Sequence, residues 1–456
     1  MATAYEHSLG CPDIRGERTG FFHVERLDGV WWVIDPTGAG CFLLGTDHVH
    51  YEVHHCQKLG YAPYSRNLRK LYPDEGAWAA SAVGRLESWG FNTLGSHCSE
   101  STRRRGLPHM ENLRMGAAYA RQDAIVPPTR WTGFPNVFAD GWAAFCDDWA
   151  AQRCTPHADD PWLVGWFIDN ELEWHLWTTA GIVPCTLAKP ADHPAKRALV
   201  ELLRERHGEI GSFNAAWELD VPSFEELAAR TEWTVAEDPA GESHGPVEKA
   251  MSQDLPGCSE AALADRFAFI HLVAERYLAA TTAAIRRHDP NHMVLGCRYA
   301  GHAMGAWDVA GRYCDIVSVN CYRQIDLETG RFTDGFPERL AEWHGQCGRP
   351  MMITEWSFPA LDAGLPCEHG AGQRVPTQKD RAFAFTAFQR HLLSQPFMVG
   401  SNYFMWVDEP ELGISEQFPE DSNYGLVNVN DEPYELLTEA ATKLHARACE
   451  IHAASG

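Results

Sequence analysis

Short apolar runs that stop abruptly at polar residues recur along this chain, and such runs read as strands buried on both faces. Eight stand out: Cys41–Gly45, Gly90–Gly95, a weaker run over 108–114, Trp162–Ile168, His292–Gly296, Asp315–Val319, Pro350–Thr354 and Phe397–Gly400. Helical spacing fills the intervals, at about 75–89, 139–153, most of 190–290 with one long segment near 259–288, and 434–453. Eight strands alternating with helices predict an α/β fold of the (β/α)8 or TIM-barrel kind. Ahead of them, residues 20–35 alternate around Asp28-Gly29, a two-residue hairpin signal. The expected organisation is a single domain. An N-terminal segment and β-hairpin over 1–40 pack on a barrel over 41–456, with a helical insertion over 178–258 after strand four.

Composition narrows the partners. The chain has 456 residues, is 45% hydrophobic and carries a formal charge of −24. An acidic surface disfavours nucleic acid and anionic membranes, both polyanions. No apolar run reaches the length of a membrane span. Seventeen Trp and 13 Tyr suit a carbohydrate site, since aromatic faces stack on sugars, although most such rings fill cores. The 14 Cys form no C-x-x-C pair, and several lie inside apolar strands, where a free thiol acts as a small hydrophobe. Met1–His7 shows no basic region followed by an apolar one, so no signal peptide is read. Reduced thiols and a cytoplasmic location are the expectation.

Two strand ends carry the chemistry. Trp162–Ile168 stops at Asp169-Asn170-Glu171, and Pro350–Thr354 stops at Glu355-Trp356. The C-terminal ends of barrel strands are where such folds hold reactive groups. Two carboxylates there, separated by two intervening strands, face each other across the mouth. Glycoside hydrolysis uses such a pair, set about 5–5.5 Å apart in retaining enzymes. One attacks the anomeric carbon and the other works as acid, then base. Burial of Glu171 beside Trp166 or Trp174, or the charge of Glu355, would keep the acid protonated.

These residues also match a family pattern. Gly165-Trp-Phe-Ile-Asp-Asn-Glu171 resembles the strand-four motif of clan A glycoside hydrolases, shared with family 42 β-galactosidases, and Ile353-Thr-Glu-Trp356 resembles the strand-seven motif. Trp32–Gly38, Leu295–Ala300 and Asn423–Asn428 resemble the agarase-like branch, glycoside hydrolase family 50. The resemblance spans about 20–445. It implies Glu171 as acid/base, Glu355 as nucleophile and Asn170 on the sugar 2-hydroxyl. It further implies Tyr322, beyond the strand ending at Asn320, as the residue orienting Glu355. Trp406 becomes the stacking floor, and Arg298 contacts a carboxylate or the substrate. Many clan members place an Arg at the end of strand two; here Asn92–Cys98 offers His97 instead. Family 50 agarases usually have an extra N-terminal domain and are exported. The short N-terminal segment here therefore favours a short oligosaccharide or small glycoside over a large external polymer. Self-association is a further expectation of the clan.

Asp47-His48-Val-His50 follows the first strand, with His54, His55 and Cys56 close behind. A His-x-His there is also the opening metal motif of amidohydrolase barrels, so a metal-dependent amidohydrolase using His48 and His50 is the alternative. That fold needs further His ligands at strands five and six, where Arg298-Tyr299 and Asn320-Cys321-Tyr322 stand instead. Asp408 is available at strand eight, and His302 lies far into its loop. No metal or other cofactor is required by the leading reading, in which Asp47 and His48 line the substrate floor. Glu173, Trp174, Trp177, Asn320, Trp356 and Tyr403 neighbour the site and are candidates to stack on or hydrogen-bond sugars.

Overall fold

The computed structural model describes residues 5, 10–11, 13–128, 132–174, 181–232, 259–300 and 306–456. The N-terminal hairpin forms as its pattern predicts. Strands β1 (His23–Leu27) and β2 (Val30–Ile34) pair antiparallel across Asp28 and Gly29, both in the left-handed region (φ 49° and 89°), and β3 (Gly40–Cys41) adds to β2. Two left-handed residues are what a tight hairpin turn needs.

The main sheet is parallel throughout. It comprises β4 (Leu43–Thr46), β5 (Thr93–Leu94), β6 (His109–Asn112), β9 (Leu163–Phe167), β10 (Met293–Val294), β11 (Tyr299–Ala300), β12 (Val317–Asn320), β13 (Met351–Glu355) and β14 (Met398–Tyr403). A separate small pair, β7 (Ala124–Val126) and β8 (Phe134–Pro135), lies outside it. The hydrogen-bonded order is β10-β9-β6-β5-β4-β14-β13-β12-β11. Nine strands replace the expected eight because the fifth is split. Gly296 and Arg298 take left-handed backbone (φ 83° and 47°) and interrupt it, so β10 pairs with β9 while β11 pairs with β12. The two ends of the ladder therefore lie on one segment, 293–300.

Strands β9, β13 and β14 are buried along their whole length, which explains their apolar runs. Gly165 is needed inside β9: a Cβ there would meet the Met293 carbonyl oxygen at 2.4 Å. Trp166 points to the helical layer, where its indole donates to Asp289 at 2.7 Å. An inner cluster of Leu43, Met110, Phe167, Leu295 and Met352 continues down to Phe22, Val33 and Cys41, so the hairpin sheet packs against one end of it.

Helices cover the outside. Asp74 caps Glu75–Ser88 through the Ala77 amide, Ser259 caps the long helix Glu260–His288, and Thr377 with Asp380 forms a capping box for Gln378–Leu393. Among the described residues, the expected insertion after β9 contains the helices Ile182–Leu187, Pro194–His207, Ile210–Trp217 and Phe224–Ala229. The final helix is two, Glu435–His445 and Ala448–Ala453. A disulfide joins Cys11 to Cys449, so the expectation of wholly reduced thiols fails at this pair. The two cysteines lie 438 residues apart, and spacing rules see only neighbours. No helix among the described residues is long and apolar enough to cross a membrane.

Candidate active site

The C-terminal ends of the parallel strands bring the sequence-predicted carboxylates to one place. Glu171, three residues past Ile168, is held in left-handed backbone (φ 48°). Its amide donates to the Arg298 carbonyl at 3.2 Å, and its own carbonyl accepts from Thr132 Oγ1 at 2.6 Å. Strain of this kind persists only where the surroundings over-determine it, and it clusters at functional sites. Glu355 closes β13 and is buried.

Arg298 ties the two sides together. It is wholly buried, and its guanidinium donates to Asn170 Oδ1 (2.7 Å), to Asp47 Oδ2 (2.6 Å) and to Glu355 Oε1. The second oxygen of Glu355 accepts from the Tyr322 hydroxyl at 2.9 Å. Asn320, at the end of β12, donates to Glu171 Oε1 (2.9 Å) and Asn170 Oδ1 (3.1 Å), while Thr354 donates to its oxygen at 2.8 Å. Asp47 also accepts the Ser96 amide at 2.9 Å. Six of the expected residues, Asp47, Asn170, Glu171, Arg298, Asn320 and Glu355, thus form one connected network with Tyr322 at its edge.

The two carboxylates meet opposite environments. Burial, then the charge of Glu355, pushes Glu171 up to about 8, against the weaker pull of Asn320 and Arg298. Both oxygens of Glu355 instead accept hydrogen bonds, one from Arg298 and one from Tyr322. Burial also raises Asp47 to about 7 despite its guanidinium partner.

The histidines form a separate wall. His48 and His97 both adopt left-handed backbone (φ 59° and 63°), and His48 Nε2 lies 3.1 Å from His97 Nδ1. Burial holds both well below the ordinary imidazole range, so both are neutral at pH 7. His50 accepts the Glu52 amide at 3.1 Å. The alternative metal site finds no donor set there. Among the described residues the group with converging ligand atoms is Glu368, His369 and Asp421, and neither His48 nor His50 belongs to it.

Several expected site residues are placed elsewhere. Trp356 turns to the helical layer and stacks on Phe388 at 4.6 Å, because the residue after Glu355 points to the opposite face of the strand. Trp406 is fully buried, with its indole donating to Tyr64 at 2.7 Å and its face beside Trp89, so it is no stacking floor. Trp174 packs into an aromatic cluster with Phe134 and Tyr277. Glu173 is spent on the Gly133 amide at 2.8 Å. Tyr403 receives Arg381 at 2.8 Å, and Asp408 receives Asn423, Gly425 and Tyr434. Trp177 and His302 lie outside the described residues.

Residues missed by the sequence reading take their places. Phe404, two positions before Trp406, is the aromatic between His48 (5.4 Å) and Tyr322 (6.2 Å), and it also touches Tyr424. Its signal was its position at the very end of the strand-eight run. On the loop beyond it, Glu409 pairs with His54 at 3.0 Å. Burial pulls His54 down, but the adjacent Glu409 carboxylate outweighs it and raises the imidazole. Glu420, on the same loop, is pushed up to about 7 by burial and then by the charges of Glu409 and Glu355. Nothing in its local sequence marks Glu420, which lies among polar loop residues.

The α/β fold is shared with solved exo-beta-agarase structures, and the likeness extends over nearly the whole chain. The chain is similar to beta-agarase B of Vibrio sp. (strain JT0107), 24% identical over 508 aligned positions, covering 95% of this chain and 48% of that protein. It is also similar to beta-agarase A of the same organism, at 24% identity over 92% of this chain and 44% of that protein. The chain thus spans about half the length of the curated relatives it matches. An exo-beta-agarase structure superposes with a TM-score of 0.76 at 21% identity, covering 96% of this chain and 66% of that one. No family model matches.

Proposed function

We propose that this chain is a retaining β-glycosidase acting on agarose-type or related galactoside oligosaccharides, with Glu171 as acid/base and Glu355 as nucleophile. The observation that carries this reading is the contrast between the two strand-end carboxyls within one hydrogen-bonded network. Burial and the neighbouring carboxylate push Glu171 up to about 8, while Arg298 and Tyr322 donate to the two oxygens of Glu355. Similarity to two beta-agarases supports the substrate class. The shared segment 293–300 at both ends of the ladder supports a closed (β/α)8 barrel.

In this mechanism Glu355 attacks the anomeric carbon as Glu171 gives its proton to the departing oxygen. A glycosyl–Glu355 ester forms. Glu171, now a carboxylate, takes a proton from water, and the water oxygen displaces Glu355. Asn170, oriented by Arg298 and Asn320, bonds the sugar 2-hydroxyl. Tyr322 and Arg298 hold Glu355 for in-line attack.

The test is Glu355→Gln on an agarose-type oligosaccharide and an aryl β-galactoside. Turnover should be lost, azide should restore some activity to Glu355→Ala, and NMR of the first product should show the β anomer. Undiminished hydrolysis by Glu355→Gln, or an α first product, would reject the reading.

A further inference from the structure

A buried carboxylate stands directly before Asn170 and Glu171, and the mechanism above leaves it unused. Asp169 is wholly buried. Its Oδ2 accepts the Gly116 amide and the Tyr277 hydroxyl, each at 2.6 Å, and its Oδ1 accepts the Ala117 amide at 3.0 Å. A carboxylate taken out of water is costly unless donors of this kind surround it. Gly116 permits the close approach: a Cβ there would meet Asp169 Oδ2 at 2.8 Å and the Tyr277 ring at 3.0 Å.

Tyr277 reaches this carboxylate from the long helix Glu260–His288. Its ring is packed edge-on to Trp174 (5.4 Å) and stacked with Trp142 (6.0 Å), which sets the direction of its hydroxyl. The same oxygen accepts the Cys297 thiol at 3.7 Å. Cys297 lies between Gly296 and Arg298, the two left-handed residues that break the fifth strand. One hydroxyl therefore touches two segments. Residues 169–171 carry the acid/base carboxyl, and residues 296–298 carry the guanidinium that donates to Glu355. The backbones of these segments are also bonded, Ile168 to the Gly296 carbonyl at 2.8 Å and Glu171 to the Arg298 carbonyl at 3.2 Å. Glu171 and Arg298 both hold left-handed backbone (φ 48° and 47°), a conformation that persists only where its surroundings over-determine it.

We propose that Tyr277 is a positioning residue for proton transfer. By tying Asp169 to Cys297, its hydroxyl fixes the turn that presents Glu171 and so aims the acid proton at the departing glycosidic oxygen. The inference rests on the reading of Glu171 as acid/base. Tyr277 itself is wholly buried and acts only through its two partners. The consequence is selective. A misdirected acid slows the departure of a basic leaving oxygen, which needs the proton, and spares a leaving group that departs as a stable anion. Partial unfolding has no such selectivity, because it removes active enzyme equally for every substrate.

The test is Tyr277→Phe, which deletes one oxygen, with kcat/KM measured on an agarose-type oligosaccharide, a methoxyphenyl β-galactoside and a dinitrophenyl β-galactoside. The first two should be cleaved about 10- to 100-fold more slowly than by the parent. The dinitrophenyl galactoside should be cleaved at nearly the parental rate. Asp169→Asn, which replaces an acceptor by a donor, should show the same selectivity, and decides the matter by the same comparison if Tyr277→Phe does not fold. Equal losses on all three substrates, or no loss on the methoxyphenyl galactoside, would overturn the proposal. Glu171→Ala separates this inference from the reading beneath it. If that variant cleaves the oligosaccharide as well as the parent does, the assignment of Glu171 falls and this inference with it. If Glu171→Ala shows the selective loss and Tyr277→Phe does not, this proposal alone falls.

Discussion

Replacing Arg298 by leucine removes a group that joins Asp47, Asn170 and Glu355 in the site network. The guanidinium is wholly buried and meets Asp47 at 2.6 Å, Asn170 at 2.7 Å and Glu355. At the Asp47 distance, with an effective dielectric constant of about 20, the gross attraction is roughly 6 kcal/mol. The desolvation of the ions offsets most of it, yet breaking a buried pair from one side still costs about 3–5 kcal/mol, because the carboxylates are left uncompensated. The loss should depend on pH. Asp47 in the folded protein sits at about 7, above its ordinary 3.8, so its favourable contribution is complete below the ordinary value and fades as pH rises through the folded one. Without Arg298 the folded value climbs further, which extends that fading to higher pH. Urea midpoints of Arg298→Leu and the parent should therefore diverge more at about pH 8 than at about pH 5. Arg298→Leu/Asp47→Asn should recover part of the loss. A penalty below about 1 kcal/mol, the size of an exposed pair, or one equal at both pH values, would refute the reasoning.

Three further outcomes are expected. Above pH 7 kcat/KM should fall as Glu171, at about 8, loses its proton, and Asn320→Ala should shift that limb upward by removing a donor that favours the ionised form; a pH–rate profile on an aryl glycoside checks both. Trp356→Ala should cost about 3–5 kcal/mol in denaturant unfolding and leave KM unchanged, because the ring is in the core. Cys449→Ser should lower stability by about 2–4 kcal/mol, and dithiothreitol should reproduce that loss in the parent protein but not in the variant.

What could be read from the chain follows from burial. Strands β9, β13 and β14 are enclosed on both faces, so their apolar runs are continuous and their ends sharp. The same sharpness located Glu171 and Glu355. The fifth strand was harder to read, because left-handed residues at Gly296 and Arg298 break its hydrogen bonding without changing its apolar character. Side-chain direction was the main source of error. Trp356 and Trp406 neighbour the site in sequence but face the core, while Phe404 faces His48 and Tyr322. The Glu409–His54 pair was invisible for another reason. It joins the loop after strand one to the loop after strand eight, a contact that no local spacing encodes.

The bond between Cys11 and Cys449 turns the intervening polypeptide into a covalent loop. Tension applied to the two tails would run through the sulfurs and bypass the sheet. A new opening made at a surface turn would leave a single connected molecule, with the original tails still fastened together. Circularly permuted versions should therefore keep the strands in their native neighbourhood as long as this link is oxidised.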